Sequence, residues 1–226
     1  MRKLMITLLL LTSLTLPVSA QEPPKYIALT FDDGPSGRFT TALLDGLNAR
    51  DIDATFFLCG YRLETYGELA KAIRAGGHEI GLHGYSHDSM SSMSTAAICE
   101  ELEKTQALLP CHCLVNLMRT PGGSLTDQVR EAASQSQLSI IHWSVDPIDW
   151  ATDDPQLIQQ RVLSQVKDGD IILMHDMTDS SVKAALALTD QLQSQGYRFL
   201  TVSQLAMLRL CHLQSGELYG RFNPNL

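Results

Sequence analysis

The stretch Tyr26-Ile27-Ala28-Leu29-Thr30-Phe31-Asp32-Asp33-Gly34-Pro35 runs from a strand-like apolar segment straight into two carboxylates and a turn signal. Tyr26 to Leu29 reads as a β-strand, and Gly34-Pro35 ends it. Adjacent carboxylates repel each other and cost stability unless a cation lies beside them. Side chains alternate along an extended chain, so Asp32 and Asp33 point in different directions. That geometry suits two separate duties, one carboxylate on a metal and its neighbour on a water. It equally suits an acidic turn that closes a strand, since Asp and Gly are common turn residues. The rest of the chain has to decide between the two.

Downstream, strands and helices alternate. Thr40 to Arg50 carries Leu43, Leu44 and Leu47 at helical spacing, and Ala54 to Leu58 is a buried strand. Leu63 to Ala75 reads as a helix stopped by Gly76-Gly77, and His78 to Leu82 as the third strand. A Ser- and Met-rich loop leads to a helix over Thr95–Leu109, ended by Pro110, and to a fourth strand over Leu114–Met118. A helix over Leu125–Ser134, capped by Ser124 or Thr126, precedes a strand over Ser139–Ser144. Asp154-Pro155 opens a helix to about Val166, Asp170–Met174 is a strand and Val182–Ser194 a helix. Arg198–Thr201 is the seventh strand, and a last helix surrounds Gln204. This alternation, without linker or repeat, is the mark of an α/β fold with a parallel sheet, either a barrel or an open doubly wound sheet.

Composition narrows the setting. Of 226 residues, 44% are hydrophobic and 19% charged, ordinary values for a globular chain. Met1 to Ala20 has the form of a secretory signal: Arg2 and Lys3, an apolar core over Leu4–Leu16, and Val18-Ser19-Ala20 as a cleavage pattern. The core is shorter than the ~20 residues of a membrane span, although an uncleaved anchor is the competing reading. The expectation is an exported protein, secreted or in the cell envelope, with residues 21–226 as a single domain acting as a monomer and no stable membrane insertion. The net charge of −8 argues against nucleic acid or an anionic membrane as partner, because both demand clustered Lys and Arg. Five cysteines leave at least one thiol unpaired; a bridge from Cys99 to Cys111 or Cys113 would join the two ends of one helix. Cys111-His112-Cys113 lacks the spacer and second pair of a structural zinc site.

The residues that carry chemistry fall just after strands. Asp32 and Asp33 follow the first, His83 and His87 the third, Arg119 the fourth, Asp146, Asp149 and Trp150 the fifth, His175 and Asp176 the sixth. In parallel α/β folds the carboxyl ends of the strands share one face, where active sites are built. His83-Gly84-Tyr85-Ser86-His87 offers two imidazoles which, with a carboxylate, would make a three-ligand metal site with an open position. Other hydrolytic signatures fail. His78-Glu79 lacks a histidine at the position required of a zincin helix, and neither Gly84-Tyr85-Ser86-His87-Asp88 nor Gly122-Gly123-Ser124 makes a nucleophile elbow.

Taken together, Thr30-Phe31-Asp32-Asp33-Gly34-Pro35, Gly77–His83 continuing to His87, Arg119-Thr120-Pro121-Gly122-Gly123, Asp146-Pro147-Ile148-Asp149-Trp150 and Leu173-Met174-His175 resemble, in order, the motifs of the polysaccharide deacetylase family (NodB-homology, carbohydrate esterase family 4). The resemblance covers nearly all of the chain after residue 20. It implies a distorted seven-stranded (β/α) barrel. It implies one divalent metal, zinc foremost with cobalt or manganese as substitutes, on Asp33, His83 and His87. Asp32 would be the general base and His175 the general acid; Arg119 would orient and tune Asp32, and Asp146 would do the same for His175. The N–H of Gly122 would meet the oxyanion, and Trp150 and Leu173 would line the sugar groove.

Two departures stand out. Gly84 occupies a place where the family usually has Ser or Thr, so the hydroxyl that stiffens the histidine loop is missing. Gly122 replaces an aromatic residue found in many members, which opens one wall. His112, His142 and His212 match no motif and read as structural. The implied activity is hydrolysis of acetamides on a polymeric amino sugar such as peptidoglycan or a chitin-like glycan. O-deacetylation of xylan and a catalytically silent glycan-binding role are the competing readings.

Overall fold

The computed structural model describes residues 23–110 and 115–224. The expected leader (1–20) and the Cys111-His112-Cys113 segment lie outside the described residues. A curled parallel sheet has the strand order β6-β1-β2-β3-β4-β5-β8, with β7 also on β1. Its strands are β1 (Lys25–Asp32), β2 (Thr55–Leu58), β3 (Glu79–Leu82), β4 (Leu117–Met118), β5 (Ser139–Ile141), β6 (Ile171–His175), β7 (Tyr197–Leu200) and β8 (Leu218–Tyr219). Among the described residues, seven α-helices pack around it: α1 (Gly37–Asn48), α2 (Gly60–Ala75), α3 (Thr95–Leu108), α4 (Asp127–Gln135), α5 (Pro155–Leu163), α6 (Asp179–Ser194) and α7 (Val202–Leu208). This is the distorted α/β barrel that the motifs imply.

Strand β1 is the hub. Ala28 pairs with Ile171 of β6 on one edge and with Leu200 of β7 on the other, and two residues later Thr30 and Phe31 pair with Thr55 and Phe56 of β2. Alternation then sorts the side chains. Ile27, Leu29 and Phe31 join the large core between sheet and helices, whereas Ala28 faces a smaller inner cluster with Phe57, Leu117, Ile141 and Ile171. Helix α7 adds Val202, Leu205 and Ala206 to this inner cluster, next to Thr55 at the start of β2, whose hydroxyl takes the Val202 N–H at 3.0 Å. One end of the barrel is therefore plugged with hydrocarbon, and polar residues collect at the carboxyl end. Thr30 and Asp32 continue the Ala28 face upward, and the register sets Asp32 directly beside His175.

The differences from the sequence reading have local causes. Strand β8 is only two residues long, too short to leave a periodic trace, yet it pairs with β5. Strand β5 ends at Ile141 rather than Ser144 because the chain turns towards β6, where Val145 bridges Ile172. Helix α6 begins at Asp179, not Val182, since Thr178 caps it through the Ser181 N–H. Helix α4 takes Thr126 rather than Ser124 as its cap. Among the described residues, Cys59, Cys99 and Cys211 form no disulfide with one another, and the expected partners of Cys99 lie outside. No described helix is long and apolar enough to cross a membrane.

Candidate active site

Asp32, Asp33, His83, His87, Gly122, Trp143, Asp146, Trp150, Leu173 and His175 line one cleft of about 410 Å³ at the carboxyl ends of the strands. A larger hollow, about 570 Å³, lies between α3 and α4, and Val115 on its wall adjoins the undescribed segment. It brings together none of the groups above. Convergence of chemistry, not volume, picks out the smaller cleft.

Arg119 anchors the floor. It is fully buried, yet every edge of its guanidinium has an acceptor: Asp32 Oδ1 at 2.6 Å, Thr30 Oγ1 at 2.8 Å, and the carbonyls of Ile141 and His142 at 3.0 and 3.1 Å. Its faces lie against the rings of Phe57 (4.2 Å) and Trp143 (5.5 Å). Burial pulls its pKa down, and the Asp32 carboxylate opposes that pull. Asp32 is thereby pinned by one oxygen. Its other oxygen, Oδ2, faces His83 Nε2 at 3.8 Å.

Asp33 lies just past the end of β1, where its backbone turns into the left-handed region (φ 71°) and not the extended one, and its carboxylate, like that of Asp32, faces His83. Its Oδ1 is buried without a hydrogen-bond partner, although His83 Nε2 lies 3.3 Å and His87 Nε2 2.9 Å away. Burial pushes the Asp33 carboxyl up, but the two imidazoles outweigh it and hold it well below the usual carboxylate range. The tautomer of His83 is set by its surroundings: Nδ1 lies 2.8 Å from the Arg119 carbonyl, which can only accept, so Nε2 presents a lone pair. His87 also has a left-handed backbone (φ 67°). One oxygen and two nitrogens thus lie within 4.8 Å of one another. An orphaned carboxylate oxygen facing two imidazoles, two of the three residues in strained backbone, is the donor set a divalent cation requires.

His175 stands across the cleft. Its ring Nδ1 is 2.7 Å from Asp149 Oδ1, and its backbone N–H donates to Asp149 Oδ2 at 2.9 Å. Asp149 is buried and so holds both main chain and ring of the histidine. Burial lowers the His175 pKa, but Asp149, aided by Asp32 and Asp33, raises it to about 9. This corrects the sequence reading, which gave the partner role to Asp146. The Asp146 Oδ1 instead accepts the Ile148 N–H at 2.8 Å, closing a turn in which Ile148 adopts φ 53°. That left-handed step swings Asp149, not Asp146, beneath His175.

The remaining residues fall as follows. Gly122 lies at φ 64° with open space where a side chain would be, so that wall of the cleft is open. Trp150 is largely exposed and shares the cleft with Leu173. Two contributors, Trp143 and Glu101 of α3, escaped the sequence reading, and a third, Asp176, was placed after the sixth strand without a role. Trp143, two residues past the end of β5 at Ile141, packs against the same inner cluster, and an alternation carried beyond the strand could have found it. Asp176, fully buried, takes hydrogen bonds from Thr40 on its side chain and Ser36 on its backbone carbonyl. Burial, against the Thr40 bond, pushes the carboxyl up to about 6. A Cβ on Gly34 would lie 2.6 Å from it, which is why the turn after the two aspartates needs glycine. His142 stacks on Trp143 at 5.1 Å in a structural role.

The model of the family described as polysaccharide deacetylase matches residues 19–141. The chain belongs to the polysaccharide deacetylase family. It is 37% identical over 183 residues to the peptidoglycan-N-acetylmuramic acid deacetylase PdaC of Bacillus subtilis, which covers 80% of this chain and 38% of that protein. A peptidoglycan-N-acetylglucosamine deacetylase of Bacillus cereus is also 37% identical, over 187 residues, 80% of this chain and 88% of that one. Among solved structures, a family 4 acetyl xylan esterase from Clostridium thermocellum in complex with a cobalt ion superposes with a TM-score of 0.81 at 27% identity, covering 87% of this chain and 98% of that one. The chain spans about two fifths of the length of PdaC and of other curated deacetylases that it matches. Within the polysaccharide deacetylase fold, the family match takes in the aspartate pair, the histidine loop and Arg119. Asp149 and His175 lie beyond it.

Proposed function

We propose that this chain is a secreted or envelope-located, metal-dependent N-deacetylase that hydrolyses acetamides on the amino sugars of peptidoglycan or a chitin-like glycan. The observation that carries the reading is the pairing of Asp32 with His175 on neighbouring strands, beside the Asp33, His83 and His87 cluster, which supports reading the first two as base and acid. Zinc fits two imidazoles and a carboxylate, with cobalt or manganese as substitutes. When bound, such an ion polarises the acetyl carbonyl and lowers the pKa of water from about 15.7 towards 7. Asp32 Oδ2, the oxygen that Arg119 leaves free, takes the proton of the attacking water. The Gly122 N–H meets the charge that develops on the acetyl oxygen. His175 holds a proton on Nε2, because Asp149 occupies Nδ1, and delivers it to the departing amine as the C–N bond breaks. Trp150 and Leu173 supply apolar surface for the C–H face of the sugar and the acetyl methyl. The products are acetate and the free amino sugar.

The test is acetate release by purified protein from peptidoglycan, chitooligosaccharides and acetylxylan, with and without chelator, followed by zinc, cobalt or manganese. Release from an N-acetylated glycan, lost with chelator and restored by metal, is the expected result. Release from acetylxylan alone would replace the reading with the esterase one. Metal-loaded protein inert on all three would leave a glycan-binding role.

A further inference from the structure

The loop from His83 to His87 must hold two imidazoles on one point while its backbone passes through left-handed conformations at Gly84 (φ 76°) and His87 (φ 67°). The hydroxyl expected at position 84 is absent, so the stiffness has another source. On one side of the loop, the first turn of α2 supplies donors: Gly60 N–H to the Gly84 carbonyl and Tyr61 N–H to the Tyr85 carbonyl, each 3.0 Å. On the other side stands Glu101 of α3. Its Oε2 accepts three hydrogen bonds from the loop, from the Tyr85 N–H at 2.8 Å, the Ser86 N–H at 2.8 Å and the Ser86 hydroxyl at 3.0 Å. The Ser86 hydroxyl in turn accepts the Asp88 N–H at 3.1 Å, fixing the chain just past His87. Carbonyls are tied on one face and amides on the other, so the peptides between the two histidines cannot rotate without breaking bonds on both.

We propose that Glu101 is a positioning residue for the metal-binding loop, acting through acceptor geometry and not through its charge. The proposal rests on the metal reading of Asp33, His83 and His87. Glu101 touches none of the three, and its helix carries no motif residue. Outer groups that orient metal ligands commonly change metal affinity by about 10- to 100-fold when removed.

Substitution separates geometry from charge. Glu101→Gln keeps an acceptor oxygen at the same reach and removes the charge. Glu101→Asp keeps the charge and withdraws the carboxylate by about 1.5 Å, too far to hold bonds of 2.8 Å. Metal-free wild type, E101Q, E101D and E101A are titrated with Co²⁺ against a chelating indicator, and the visible Co²⁺ spectrum reports the ligand geometry. The expected order is E101Q within about threefold of wild type, and E101D and E101A weakened about 10- to 100-fold with altered spectra. If E101A does not fold, the contrast between E101Q and E101D decides. Wild-type affinity and spectrum in E101D, or loss in E101Q with E101D intact, would overturn the proposal. A wild type that binds no Co²⁺ sinks the metal reading and this one with it. A wild type that binds Co²⁺ but releases no acetate sinks only the proposed activity.

Discussion

Asp149→Asn replaces a buried carboxylate by its near-isostere and leaves the His175 ring in place without its counter-charge. In the wild type, burial drives His175 towards the neutral form, and Asp149 more than reverses this, giving a pKa of about 9. Asp32 and Asp33 add smaller upward pushes, which a bound cation would offset. With Asp149 gone, burial remains and the pKa falls to about 6.5 or lower. An acid must be protonated to act, so the falling limb of the pH–rate profile follows this value. At pH 8 a group with a pKa of about 9 is roughly 90% protonated, whereas one at about 6.5 is roughly 3% protonated. The variant should therefore lose about 30-fold in rate at pH 8 and little near pH 5.5, with the limb displaced by more than two pH units. The assay is initial acetate release on the best substrate of the panel, at saturating metal, from pH 5 to 10. Asp146→Asn is the matched control and should leave the limb where it is. A D149N limb still near 9, or a displaced limb in D146N, would refute the assignment of Asp149 as the partner of His175. The same pair also has a stability signature. A histidine raised in the folded state contributes stabilisation that is complete below its unfolded value, near 6.5, and is lost as pH rises through about 9. The melting temperature of D149N should therefore fall towards acid-side conditions relative to wild type, and the two should converge above that pH.

Other substitutions address the remaining groups. Asp33→Ala or His87→Ala should abolish stoichiometric metal uptake, measured by elemental analysis after dialysis, while Asp32→Asn should keep the metal and lose on the order of 10²–10⁴ in rate. Metal retained by D33A would move the ion elsewhere. Arg119→Met should cost about 3–5 kcal/mol in urea unfolding, because it strands the buried Asp32 carboxylate. Adding Asp32→Asn to it should recover part of that loss, and a double-mutant cycle without coupling would show that the 2.6 Å contact contributes nothing to folding.

The sheet and the strand-end groups were legible because their signals are local. A buried strand advertises itself by apolar residues, and each of Asp32, His83, Arg119 and His175 sits within one residue of a strand end. Knowing the strand was enough to know the face. Asp149 was less legible for the opposite reason. Between Asp146 and Asp149 the chain follows no period, and a single left-handed residue, Ile148, decides which carboxylate swings under the histidine. Glu101 was invisible because on α3 it resembles any half-exposed acidic helix residue, beside Glu100 and Glu103; only the loop packed across it gives it meaning. The bonds that matter there end on backbone amides, and the sequence of a loop says little about where its amides point.

The pairing of β1 along both of its edges has a consequence for how the protein comes into being. The partners of its first residues are β6 and β7, and the Thr30 hydroxyl that helps hold Arg119 donates to a carbonyl 142 positions further along the chain. Pairings of such separation form late, after the loop-closure entropy of most of the chain has been met. Strand β1 must wait for residues 171–200 before these pairings can form. Asp32 and His175 become neighbours in that same late step, so a partly folded chain holds the proposed base without the proposed acid. On this topology, the cleft that brings Asp32 and His175 together is completed at the end of folding.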